Sequence, residues 1–71
     1  QRTQALFELG EDFLRAGLLD RAEELYQQLL QIEVQPDRAL KALLSIYEQE
    51  KDWRRAISAA ERLQAHSREN L

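Results

Sequence analysis

Cysteine is absent from this chain, which removes disulfide staples and every thiolate metal or redox centre. Reduced surroundings suit such a composition. Histidine occurs once, at His66, with no second imidazole or thiol to join it, so neither a metal nor a cofactor is expected. No apolar run approaches the roughly 20 residues that cross a bilayer, and the N-terminus carries no signal-peptide pattern. Membrane insertion by these residues is therefore not expected. No Gly-rich phosphate loop is present. A basic surplus is lacking too: ten Lys and Arg face thirteen Asp and Glu, for a net charge of -3. With the signs interspersed, no nucleic acid is expected as a partner, because phosphate binding wants a concentrated basic face.

Breakers are scarce as well, with one Pro and two Gly. What remains is rich in Leu, Ala, Glu, Gln and Arg, all good helix formers. Ala5, Leu6, Leu9, Phe13 and Leu14 recur at intervals of three and four, which predicts a first helix with that stripe buried. Gly17 suits the left-handed position that closes such a helix. Asp20 is expected to cap a second helix, with Glu23 completing a capping box. That helix should bury Ala22, Leu25, Tyr26, Leu29 and Leu30 and fade near 31–34. Pro36 fits a first helical position, with Asp37 near the positive helix end. A third helix follows on Leu40, Leu43, Leu44 and Tyr47. Asp52 is placed to cap a fourth, burying Ala56, Ile57, Ala60 and Leu63, with Trp53 packed at the turn. Short loops make neighbouring helices antiparallel.

A shift of 34 residues lays the two halves on each other. Ala5 falls on Ala39, Leu6 on Leu40, Leu9 on Leu43, Phe13 on Tyr47, Ala22 on Ala56 and Leu29 on Leu63. Self-similarity at this period between two helix-turn-helix units resembles the tetratricopeptide repeat (TPR) family. The family pattern is met in unit one by Leu6, Leu9, Gly10, Phe13, Ala22, Tyr26, Leu29 and Val34. In unit two it is met by Leu40, Leu43, Leu44, Tyr47, Ala56, Ala60, Leu63 and Arg68. Leu6 and Leu40 stand where Trp is usual, Leu44 replaces the Gly, and no Pro closes either unit. The resemblance implies an all-α fold of two TPR hairpins, four antiparallel helices stacked as part of a right-handed α-solenoid. Repeat one would cover about 3–36 and repeat two about 37–70.

About three repeats are usually needed for stability. Two repeats, with a start at Gln1 rather than Met, read as a segment of a longer array or as a unit that pairs with a second copy. Catalysis is not expected. Thr3, Ser45, Ser58 and Ser67 lack an activating arrangement, and the pairs Glu23–Glu24 and Glu48–Glu50 read as caps and solvated faces.

Binding of protein or peptide segments is the function that the resemblance implies, on the concave groove lined by the first helix of each hairpin. By the family's groove positions the lining is Gln4, Phe7, Glu11, Leu14 and Arg15 from unit one. Unit two supplies Arg38, Lys41, Ser45, Glu48 and Gln49. Part of Phe7 and Leu14 is expected to stay exposed, unless Phe7 packs against a preceding repeat. Arg38 and Lys41 lie three apart on one helix face and could receive a carboxylate or phosphate; pairing of Arg38 with Glu11 or Glu48 is the alternative. The only Asn is Asn70, outside any groove, which disfavours a carboxylate clamp.

The runs "QALFELGEDFLRAGLLDRAEELYQQLL" and "ALKALLSIYEQEKDWRRAISAAERL" look like one branch of the family, the bacterial TPR adaptors of lipopolysaccharide synthesis. That branch implies a cytoplasmic TPR array anchored to the inner membrane by a helix outside this chain, and a rubredoxin-like metal module. Its implied partners are a membrane protease and a lipid A pathway deacetylase. Two alternatives are structural spacer repeats with no external ligand, and the regulatory TPR region of an enzyme such as a putative N-acetylglucosaminyl transferase.

Overall fold

A computed structural model describes residues 2–69. Gln1, Asn70 and Leu71 lie outside them, as do the expectation for Asn70 and the last residue of the expected second repeat. Four helices follow in order: α1, Arg2–Arg15; α2, Leu19–Gln31; α3, Pro36–Glu50; α4, Trp53–Glu69. The fold is all-α, two helical hairpins in which each helix packs on its neighbour in sequence. Starts of α1 and α3 are 34 residues apart, as are those of α2 and α4, so the sequence period is also the structural one.

The turns explain the boundaries. Gly17 sits at φ 78°; its N–H donates to Leu14 O at 3.1 Å, and the Leu18 N–H to Phe13 O at 2.9 Å. This is the Schellman closure, which satisfies carbonyls that the helix end leaves free. The closure recurs 34 residues on, where Lys51 N–H donates to Glu48 O at 3.1 Å and Asp52 N–H to Tyr47 O at 2.9 Å. Pro36 begins α3, with Asp37 in its first turn. Asp52 caps α4 through a long 3.4 Å bond from the Arg55 N–H.

Asp20 does not cap α2. The helix begins at Leu19, its cap residue Leu18 makes no side-chain bond, and Asp20 lies inside the first turn. The first closure already ends at Leu18, so the chain enters α2 two residues sooner, and Asp20 acts only through the helix dipole.

The core comprises Phe7, Ala22, Tyr26, Leu29, Ala39, Leu40, Leu43, Ile46, Tyr47, Ala56 and Ala59. In α2 and α3 the expected positions largely hold. In α1 they do not: Phe7 and Gly10 are buried, whereas Ala5 is exposed and Leu6 and Leu9 are 37% and 42% exposed. α1 has apolar residues on two faces, and α2 covers the one through Phe7 and Gly10. On α4, Ile57 is 59% and Trp53 57% exposed, because α3 covers only the face with Ala56 and Ala59. Trp53 is thus not packed at the turn.

Candidate partner-binding groove

Gln4 and Arg38 hold equivalent positions in the two units, and the structure puts them in contact. Arg38 donates from Nη1 to Gln4 Oε1 and from Nη2 to Glu11 Oε2, each at 3.1 Å, and its guanidinium lies 4.4 Å from the centre of the Phe7 ring. A cation over an aromatic face and two charge-assisted bonds hold this arginine in place. Of the two roles considered for Arg38, pairing with Glu11 is the one observed.

Beneath Arg38, Phe7 is 0% exposed. The expectation of a partly exposed Phe7 fails: the ring packs inward, 6.1 Å from the Tyr26 ring centre to centre, and Arg38 closes over it. It needs no preceding repeat for cover. Leu14 is half-buried against the core, and Arg15 is exposed and paired with Asp12 at 2.7 Å.

The α3 positions are more open. Lys41, Ser45, Glu48 and Gln49 are all exposed. Ser45 Oγ accepts a long 3.5 Å bond from Gln49 Nε2. Among the described residues Lys41 and Glu48 have no ion pair. Lys41 lines an open hollow of about 540 Å³ with Pro36, Asp37, Arg38 and His66. There the His66 Nδ1 stands 3.6 Å from Asp37 Oδ1, an oxygen screened from solvent with no hydrogen-bond partner. These side chains offer a partner ammonium, carboxylate and hydroxyl groups within one surface.

A second polar network escaped the sequence reading. Glu23 Oε2 accepts from the Tyr47 hydroxyl at 3.2 Å, from Arg55 Nη1 at 3.2 Å and from Gln27 Nε2 at 3.1 Å. Two of its partners, Tyr47 in α3 and Arg55 in α4, are 24 and 32 residues away, so no local pattern could reveal the network. Burial, opposed by the bond from Gln27 and reinforced by Glu23, raises the Tyr47 phenol above its usual range. Burial likewise raises Tyr26, with the charge of Glu11 adding and that of Arg38 opposing.

Carboxylate oxygens of Asp20, Glu23 and Glu50 lie within 4.8 Å of one another. Such a trio has the donor type for a hard divalent cation, but Glu23 already serves Arg55 and Tyr47. Partial desolvation first, then the charges of Glu23, Asp20 and Asp52, raise the Glu50 carboxyl, with Arg55 opposing. No described helix is long and apolar enough to cross a membrane.

No family model matches the chain, and no solved structure matches it significantly. Curated proteins do. Lipopolysaccharide assembly protein B of Escherichia coli strain K12 is 44% identical over 63 residues, and that of Haemophilus influenzae strain Rd is 40% identical over 63. The match takes in 89% of this chain but only 16% of each relative's length. The name of these relatives describes an assembly protein rather than an enzyme. Over 89% of its length this chain is a relative of one stretch of lipopolysaccharide assembly protein B, built as two helical hairpins consistent with TPR-like repeats.

Proposed function

We propose that these two hairpins, taken as units of about 3–36 and 37–70, form a non-catalytic protein-binding scaffold within an inner-membrane adaptor of lipopolysaccharide synthesis. In this reading the scaffold works on the cytoplasmic side, presenting a lipid A pathway deacetylase to a membrane protease. The supporting observation is the 44% identity with lipopolysaccharide assembly protein B over 89% of the chain. The working groove is narrower than ten residues: Lys41, Ser45, Glu48 and Gln49 of α3, flanked by Gln4, Glu11, Leu14 and Arg15. Phe7 and Arg38 support it from within.

One observation favours a second reading as structural spacer repeats. The Gln4–Arg38–Glu11 bonds join the two units and use groove side chains internally. Purified deacetylase titrated against the chain separates the two readings. A scaffold binds it, and Lys41→Glu combined with Glu48→Lys weakens binding about tenfold, the scale of losing one or two charge-assisted contacts. Helical content and melting should not change, since both side chains are exposed. Arg38→Glu is unsuitable, because it would set a carboxylate against Glu11 and uncover Phe7. Absence of binding, or equal binding by the double variant, rejects this groove.

A further inference from the structure

Helices α2 and α4 both pack on α3, and between them lies a cleft of about 330 Å³, separate from the groove residues. On α3 its floor residues Leu40 and Leu43 lie roughly 150° around the helix from the Lys41 and Ser45 face, counting about 100° per residue. The cleft therefore opens on the opposite side of the molecule from the proposed groove.

Its floor is apolar: Leu40, Leu43 and Ala59 are at most 5% exposed. Its walls are polar, with Gln31 from α2 and Ser58 and Arg62 from α4. Arg55 of α4 also lines the cleft and pairs with Glu23 at 3.2 Å. That cation is matched, since Arg55 also meets Asp52 at 3.5 Å. Arg62, two helical turns beyond Arg55 on α4, has no carboxylate partner among the described residues. Neither Ser58 nor Gln31 makes a side-chain hydrogen bond among them. An unmatched guanidinium, a hydroxyl and an amide thus edge a cleft that also presents the half-buried Leu30.

We infer that this cleft is a docking site for an acidic side chain carried beside an aliphatic one on a segment of a partner protein. The carboxylate meets the Arg62 guanidinium, with Ser58 and Gln31 as further donors, and the aliphatic group rests on the half-buried Leu30, which also lines the cleft. Charge complementarity selects this occupant: of the two cations lining the cleft Arg55 is paired and Arg62 is not, so the free charge is positive. The volume, at the lower end of the roughly 300–1,000 Å³ of ordinary ligand pockets, suits two side chains rather than a folded surface. The inference does not depend on the concave groove.

Nuclear magnetic resonance titration of the chain with the blocked dipeptide acetyl-leucyl-glutamate amide tests it. Expected are saturable shifts at the Ser58 and Ala59 amides and the Arg62 Nε–H. The glutamine analogue should bind about fivefold more weakly, the loss of one charge-assisted bond. Arg62→Glu and the cleft-filling Ser58→Leu should each abolish the shifts, whereas Lys41→Glu should leave them intact. Arg62 and Ser58 are exposed, and unchanged circular dichroism confirms that the variants fold. Equal binding of the glutamine analogue, shifts centred on Lys41 and Glu48, or no saturation would overturn the inference. So would inorganic phosphate moving these resonances where the dipeptide does not.

Discussion

Lys51 holds φ 61° where its counterpart one repeat earlier, Gly17, holds 78°. Both close a helix with the same pair of backbone bonds, but a side chain in the left-handed region costs about 1–2 kcal/mol that glycine avoids. Glycine in turn loses more entropy on folding. Lys51→Gly is therefore expected to stabilise the chain by a net of about 0.5–1 kcal/mol, read from urea unfolding followed by circular dichroism. An unchanged midpoint would show that the surrounding turn already relieves the strain. At the same end of the molecule, the raised Glu50 carboxyl means that the folded state holds its proton more tightly than the unfolded chain does. Its contribution is then most favourable at low pH and is lost as pH rises through the carboxylate range. Glu50→Gln should raise the urea midpoint near neutral pH and leave it nearly unchanged in acid, where the carboxyl is already neutral. A larger gain in acid would contradict the repulsion from Glu23 and Asp20.

Within the helical hairpins, complementary volume holds paired helices at their spacing. A Cβ added at Gly10 would stand 2.6 Å from Tyr26 Cζ, and Tyr26 is buried with its hydroxyl 3.5 Å from the Phe7 carbonyl oxygen. The ring has little room to retreat. One repeat on, the equivalent residues are Leu44 and Ala60: the large side chain has moved to the first helix and the small one to the second. The departure at Leu44 is thus one half of an exchange of volume with Ala60. Gly10→Ala is expected to destabilise by about 1–3 kcal/mol through overpacking, partly offset by the better helix propensity of alanine. Thermal unfolding of the single variant and of Gly10→Ala with Tyr26→Leu checks this, the second change restoring part of the loss. If the single variant is as stable as the parent, the close approach does not constrain the hairpin.

Across the whole molecule, apolar surface is left at both ends. Leu6 and Leu9 are exposed on α1, Trp53 and Ile57 on α4, each pair spaced to share one helix face. Further repeats or a second copy would cover such faces by the same packing that builds the interior of a repeat array. The isolated chain is accordingly expected to self-associate as its concentration rises, measured by sedimentation equilibrium. Ile57→Lys should shift it to monomer without loss of helix. A monomer at every concentration would mean that these side chains are tolerated in water as they stand.

Helix number, the 34-residue period, the glycine closure at Gly17 and the proline start at Pro36 could all be read from the sequence. Each depends on residues close together in the chain or on a repeat visible by shifting it. Most core positions of α2 and α3 were equally legible, because both helices are packed along broad apolar stripes. Tertiary structure alone decided which of the two apolar faces of α1 is buried, since Leu6–Leu9 and Phe7–Gly10 are equally good stripes until α2 lies against one of them. It also decided that Arg38 covers Phe7 instead of awaiting a ligand, a consequence of α1 and α3 bringing equivalent positions into contact. The Glu23–Tyr47–Arg55 network and the cleft beside Arg62 come from three helices meeting, a relation that no single helix encodes. Local chemistry set the elements; their packing set which side chains are left to bind.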